Sequence, residues 1–183
     1  MLEVFVLVAL VIFLFVTLYI DIIKLIIPNT LYHEGIIIIP IVLLANIFLG
    51  IYYNLSVWYK VTNKTKYAAI ISIIGAAVTI VLNLLFIPKY GYIGAAWVTL
   101  ICYTVMMFTS YYLGQKNYKI NYNYKSILFY FILAGLLLYI STLFNHPIWM
   151  NIQIDNTILF GLYIIFIYSQ FKRILKENKF TDI

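Results

Sequence analysis

Six long apolar runs separated by short polar stretches set the rhythm of the chain. They are Val4–Ile27, Ile36–Tyr59, Tyr67–Ile87, Ile93–Leu113, Ile127–Phe144 and Thr157–Phe171. Each is long enough to cross a bilayer. Backbone amides in hydrocarbon have no water to bond, so each run must satisfy them internally, and only a helix does that. The runs are continuous rather than alternating apolar and polar, which excludes the strand pattern of an outer-membrane barrel. The pattern predicts one all-α integral membrane domain, residues 1–183, with six transmembrane helices.

The connections sharpen the topology. Pro28-Asn29-Thr30 opens the first and Gly35 closes it. Lys60–Lys66 forms the second, and Pro88-Lys89-Tyr90-Gly91-Tyr92 is a tight Pro/Gly turn. Gly114–Ser126 is polar, Asn145–Asn156 contains His146-Pro147, and a basic tail begins at Lys172. Lys60, Lys64 and Lys66, then Lys116, Lys119 and Lys125, then Lys172, Arg173, Lys176 and Lys179 fall on alternate connections. That places ten basic residues on one face against Lys89 on the other, with Lys24 left inside a run. The positive-inside rule puts both termini in the cytoplasm, which requires an even number of spans.

Composition agrees. Hydrophobic residues make up 65% of the 183, charged residues 10%, and mean hydropathy is +1.01. An ordinary soluble domain has about half its residues apolar and about a quarter charged. The net charge of +6 belongs to the connections, so it reads as topology and not as a nucleic-acid footprint. Cys102 is the single cysteine and lies in an apolar run, so no disulfide forms within the chain. Glu3 stands where a signal peptide carries positive charge, and the first run is too long for one. There is no phosphate-binding glycine loop and no Cys/His cluster with metal spacing. His33 and His146 sit in separate connections, and nothing points to an enzyme, a cofactor or a metal. The Asn63-Lys64-Thr65 sequon falls on the cytoplasmic side, where it would not be glycosylated.

Polar groups inside spans are costly and often functional. Asp21 and Lys24 are three apart and share a helix face. They form either an ion pair near the outer end of the first span or the lining of a cavity that meets a charged substrate. Asn46, Gly50 and Asn54 recur every fourth residue, as do Gly75, Thr79 and Asn83, and Ala68, Ser72 and Ala76. Such stripes mark close helix packing with hydrogen bonds across it. The alternative turns Asn46, Asn54 or Asn83 towards a translocation cavity. Pro40 is expected to bend the second span. Tyr52, Tyr53, Tyr59, Tyr111, Tyr112 and Tyr118 lie near span ends, as an interfacial aromatic belt or a sugar-binding platform would.

The stretch Asn83-Leu84-Leu85-Phe86-Ile87-Pro88-Lys89-Tyr90-Gly91-Tyr92-Ile93-Gly94-Ala95-Ala96-Trp97 resembles the N-x-x-x-I-P-x-x-G-x-x-G-A-A signature of the polysaccharide flippases. These belong to the MOP superfamily that also holds the MATE multidrug exporters. The motif makes physical sense. Asn83 ends one span, Pro88 stops it, Gly91 permits the turn, and Gly94, Ala95 and Ala96 let the next helix pack closely. A second block, from Pro40 to Asn46, Leu49 to Lys60 and Thr62 to Tyr67, is similar to the lipopolysaccharide and exopolysaccharide export members, as is Tyr19–Lys24.

The resemblance implies helices nine to fourteen of a fourteen-helix, two-lobed transporter. The first lobe and two helices of the second, on the same or a separate chain, would complete it. It implies an inner-membrane bacterial protein that moves polyprenyl-pyrophosphate-linked oligosaccharide across the cytoplasmic membrane by rocking one lobe against the other. Asp21, Lys24, Asn46, Asn54 and Asn83 are the cavity candidates, and Pro40, Gly75, Pro88, Gly91, Gly94, Ala95 and Ala96 the structural motif. The rivals are a MATE-like exporter of cationic drugs, for which only Asp21 supplies acidic charge, and a non-transporting membrane remnant. A membrane glycosyltransferase would need a long extramembrane loop carrying catalytic carboxylates, and the longest connection is about a dozen residues.

Overall fold

A computed structural model describes the backbone of residues 1–26, 30–120, 122–143 and 149–179, and side chains at 1–22, 24, 34–120, 122–142 and 155–174. Pro28, Asn29, His146, Pro147, the run ends Ile27 and Phe144, and the side chain of His33 lie outside the described residues. Among those described, all regular structure is helical. The order is α1 (Leu2–Leu18), α2 (Ile20–Ile26), a 3-10 helix (Thr30–Ile38), α3 (Ile39–Leu55), α4 (Val57–Val61), α5 (Lys66–Asn117), α6 (Tyr124–Leu143) and α7 (Trp149–Lys179). Among the described residues, four stretches are long and apolar enough to cross a membrane: Glu34–Val61, Lys66–Asn117, Tyr124–Thr142 and Asp155–Ile174.

The difference from six expected runs has two causes. The runs at 67–87 and 93–113 join into the 52-residue α5. Drawn straight, it would be about 78 Å long, more than twice a bilayer's hydrocarbon core. It is not straight. At Gly91 the backbone takes φ 55°, ψ −134°, the one non-helical residue inside α5. The chain doubles back there, so that the Cys102 Sγ–H donates to the Gly75 carbonyl at 3.3 Å. The arms 66–90 and 92–117 are antiparallel. The second cause is a break in the first run, where Tyr19 (φ −103°, ψ 22°) separates the 17-residue α1 from the short α2.

Two further boundaries move. Pro40 lies in the first turn of α3, where the preceding 3-10 helix gives way to α-helix. Its missing N–H is harmless there, so it marks a helix start and not an internal bend. The connection expected at Asn145–Asn156 is partly helical, because α7 begins at Trp149 and puts Asn156 two turns inside.

α1 is the central element. Val6, Leu7, Leu10 and Leu14 are fully buried, and α1 packs on α3, α6 and α7. α3 in turn packs on the α5 hairpin. The outward faces of the flanking helices are apolar. Leu128, Ile132 and Leu136 form an exposed stripe at four-residue spacing on α6, and Ile73, Ile80 and Leu84 are exposed on α5. A helix that is apolar on its outer face as well as its inner one is matched to lipid, not water.

Candidate functional site

The helices sort the polar residues into two ends. At one end the Phe5 ring of α1 covers Gly50 of α3. Trp58 packs on Gly114, leaving only 3.0 Å for a side-chain carbon there, and Lys64 Nζ donates to Asn117 Oδ1 at 3.2 Å. The Phe166 ring of α7 meets Tyr130 of α6 at 6.2 Å, which brings the C-terminal part of α7 to this same end. The connections carrying Lys60, Lys64 and Lys66 and Lys116, Lys119 and Lys125 therefore share one surface with Lys172 and Arg173. At the opposite end Tyr92 Oη donates to the Glu34 carbonyl at 3.5 Å, and Asn156 of α7 reaches the end of α1. Asp21, Glu34, Asp155, Lys24 and Lys89 lie there.

The Asp21–Lys24 pair takes the first of its two expected forms. Lys24 Nζ lies 2.6 Å from Asp21 Oδ1 on α2, with the side chains 42% and 64% exposed. Such an exposed i,i+3 pair adds a few tenths of a kcal/mol at most. It stands beside the α1–α2 break, where the Ile22 N–H bonds the Tyr19 carbonyl at 3.0 Å. The Leu18 carbonyl accepts instead from Asn156 Nδ2 at 2.9 Å. Ser141 Oγ donates to Asn156 Oδ1 at 2.8 Å, and Tyr19 Oη pairs with Thr157 Oγ1 at 2.9 Å. The break is thus held from α6 and α7.

The amides behave differently from one another. Asn46 Nδ2 donates to the Val42 carbonyl and Asn54 Nδ2 to the Gly50 carbonyl, each at 2.9 Å within α3. Asn46 stands at an open, almost wholly apolar cavity of about 150 Å³ between α1 and α3, lined also by Phe5, Ala9, Ile12, Phe13, Leu43 and Ile47. Asn83 is half-buried, and its Oδ1 is enclosed with no hydrogen-bond partner among the described residues. No hydrogen bond or ion pair among the described residues joins Asp21 or Lys24 to these amides. The five candidates lie at several levels and do not form one polar cavity within this chain.

The motif residues are structural in geometry. Gly75 lies against Met106, whose Sδ would come within 2.6 Å of any added side-chain carbon, and its carbonyl also accepts from Thr79 Oγ1 at 2.9 Å. A side-chain carbon at Gly94 would fall 2.8 Å from the Phe86 carbonyl oxygen, across the corner. Gly91 faces open space, so what it supplies is its backbone conformation. Pro88 is exposed in the turn before it, Ala95 is half-buried and its carbonyl accepts from Thr99 Oγ1 at 2.9 Å, and Ala96 is buried.

Asn156 and Ser141 were not among the candidates. Their only sequence signal is a polar residue within helical reach of an apolar run. Asn63 has a role that its sequon obscures. With φ 54° it closes α4 in a Schellman turn, where the Lys64 N–H reaches the Tyr59 carbonyl at 2.8 Å and the Asn63 N–H reaches the Lys60 carbonyl at 3.3 Å. In the 118–123 connection, burial, with Tyr111 adding, pushes the Tyr122 phenol above its ordinary value. Among the described residues no three His, Cys, Asp or Glu side chains gather as metal ligands would. Comparison with protein-family models, curated proteins and solved structures returns no match.

Proposed function

We propose that the chain is the C-terminal, six-span portion of a transporter that moves lipid-linked oligosaccharide across the bacterial cytoplasmic membrane for cell-surface polysaccharide synthesis. The observation that carries this reading is the corner at Asn83–Trp97. Two of the residues that the flippase signature specifies have special geometry here: Gly91 at positive φ, and Gly94 with only 2.8 Å to the Phe86 carbonyl. In this reading the six crossings are α1 with α2, residues 34–61, the two arms of α5, α6 and α7, with both termini on the basic, cytoplasmic side.

The scattered polar candidates fit a half-site. Asn46, exposed at an open cavity, would be completed by a facing lobe. The protein contributes no covalent chemistry and no cofactor. It shields the glycan and the pyrophosphate while the two lobes rock. Deleting the gene should abolish surface polysaccharide and leave the lipid-linked oligosaccharide on the cytoplasmic leaflet. Normal surface polysaccharide would overturn the reading, and cationic-drug sensitivity in that background would favour an exporter.

A further inference from the structure

The basic end is a built surface and not a scatter of flexible charges. The Schellman turn at Asn63 fixes Lys64, and the Lys64–Asn117 hydrogen bond ties the first lysine connection to the second. Beyond it, Gln115 Nε2 donates to the Ile120 carbonyl at 2.7 Å and the Tyr118 N–H to the Gly114 carbonyl at 2.7 Å, which holds Lys116 and Lys119 on a short turn. Lys60, Lys64, Lys66, Lys116, Lys119 and Lys125 are all exposed. Glu3, in the first turn of α1, is the one carboxylate described at this end, and among the described residues none lies within ion-pair distance of these six lysines.

Depth decides what meets this surface. The connections are only a few residues long, so the ammonium groups stay within a Debye length, about 10 Å, of the span ends. Tyr112, Tyr118 and Tyr124 are exposed beside them, with rings suited to the headgroup layer. The lysines cannot leave the plane where lipid phosphates lie.

We propose that this end is a docking surface for anionic phospholipids, which it selects from the surrounding bilayer by their phosphodiester headgroups. The contact is electrostatic, with lysine ammonium groups and tyrosine hydroxyls donating to phosphate oxygens. A basic residue held at an anionic surface contributes about fivefold in affinity at low salt. The proposal rests on membrane insertion but not on the transported substrate. Normal polysaccharide in a deletion strain would leave it standing, and loss of lipid selectivity would leave the transport reading standing.

The test uses the 183-residue chain in phosphatidylcholine vesicles with trace spin-labelled phosphatidylglycerol or spin-labelled phosphatidylcholine. The immobilised fraction of each label gives their relative association with the protein. We expect phosphatidylglycerol to be favoured about fivefold or more at 20 mM salt, with the preference collapsing towards unity at 0.5 M salt. The variant carrying Lys64→Gln, Lys66→Gln, Lys116→Gln and Lys119→Gln should lose most of the preference, and Lys89→Gln at the opposite end should keep it. Equal association of the two labels with the unaltered chain would overturn the proposal without reference to any variant. So would a preference untouched by salt. Full displacement of the lipid by millimolar inorganic phosphate would overturn the lipid as the occupant.

Discussion

At Gly91 the chain turns back on itself because of the residues standing there. At Tyr19 it breaks because of residues more than a hundred positions away. The first break carries its cause locally. Pro88 lacks the N–H that would continue the helix, and Gly91 takes a φ, ψ pair that residues with a side chain avoid. The second break has neither Pro nor Gly within several residues. Its freed Leu18 carbonyl is bonded by Asn156 from α7, which is itself oriented by Ser141 from α6. In a medium without water, a helix interruption must find its hydrogen bonds in the protein. The α5 corner meets that demand by lying at a bundle end, and the α1–α2 break meets it by tertiary contact.

That contrast can be broken in order of effect. Gly91→Ala should lower stability by about 1–3 kcal/mol through backbone strain alone, since the position has open space. Gly135→Ala, also in open space but with no positive φ, should be neutral or gain up to about 1 kcal/mol. Thermal unfolding of both variants in detergent micelles checks the pair, and equal effects would remove the corner's special status.

Next in size is Asn156→Leu, which strips the Leu18 carbonyl and the Ser141 hydroxyl of their partner. A loss of about 1–2 kcal/mol is expected. A double-mutant cycle with Ser141→Ala should show a coupling near 0.6 kcal/mol, the usual scale for interhelical hydrogen bonds in membranes. Strict additivity would show that the break does not depend on this network.

Tyr19→Phe, which removes only the Thr157 contact, should cost about 0.5 kcal/mol or less by the same measurement. Smallest is the alkaline response of Tyr122. Its phenol is held above the ordinary value when folded, so its contribution is constant below the unfolded value of about 10 and lost as pH rises through the folded one. Tyr122→Phe should flatten that alkaline loss without altering stability at neutral pH.

The same contrast explains what could be read from the residues in order. The corner was legible because Pro88 and Gly91 act locally, and the two-ended charge distribution because lysines in short connections cannot stray from span ends. The Tyr19 break was not legible, since Leu18-Tyr19-Ile20 is an unremarkable apolar segment and its partner stands at position 156. Asn156 was itself misplaced. Asn151, Gln153, Asp155 and Asn156 read as a polar connection, whereas the helix already begins at Trp149. Of the site candidates, the Asp21–Lys24 contact followed from helical spacing. Whether Asn46, Asn54 and Asn83 converge depends on packing between helices, which the four-residue stripes do not encode. Asn46 and Asn54 donate from Nδ2 back to their own helix, and Asn83 carries an enclosed oxygen with no hydrogen-bond partner among the described residues.

In the proposed topology the two antiparallel arms of α5 are separate crossings, with the lysine-bearing ends on one side of the membrane and the Gly91 corner on the other. Membrane-impermeant thiol labelling tests it directly, with single cysteines at Lys64→Cys, Lys89→Cys and Lys119→Cys in a Cys102→Ser background. Positions 64 and 119 should label only from the cytoplasmic side and position 89 only from the opposite side. Labelling of all three from the same side would contradict it.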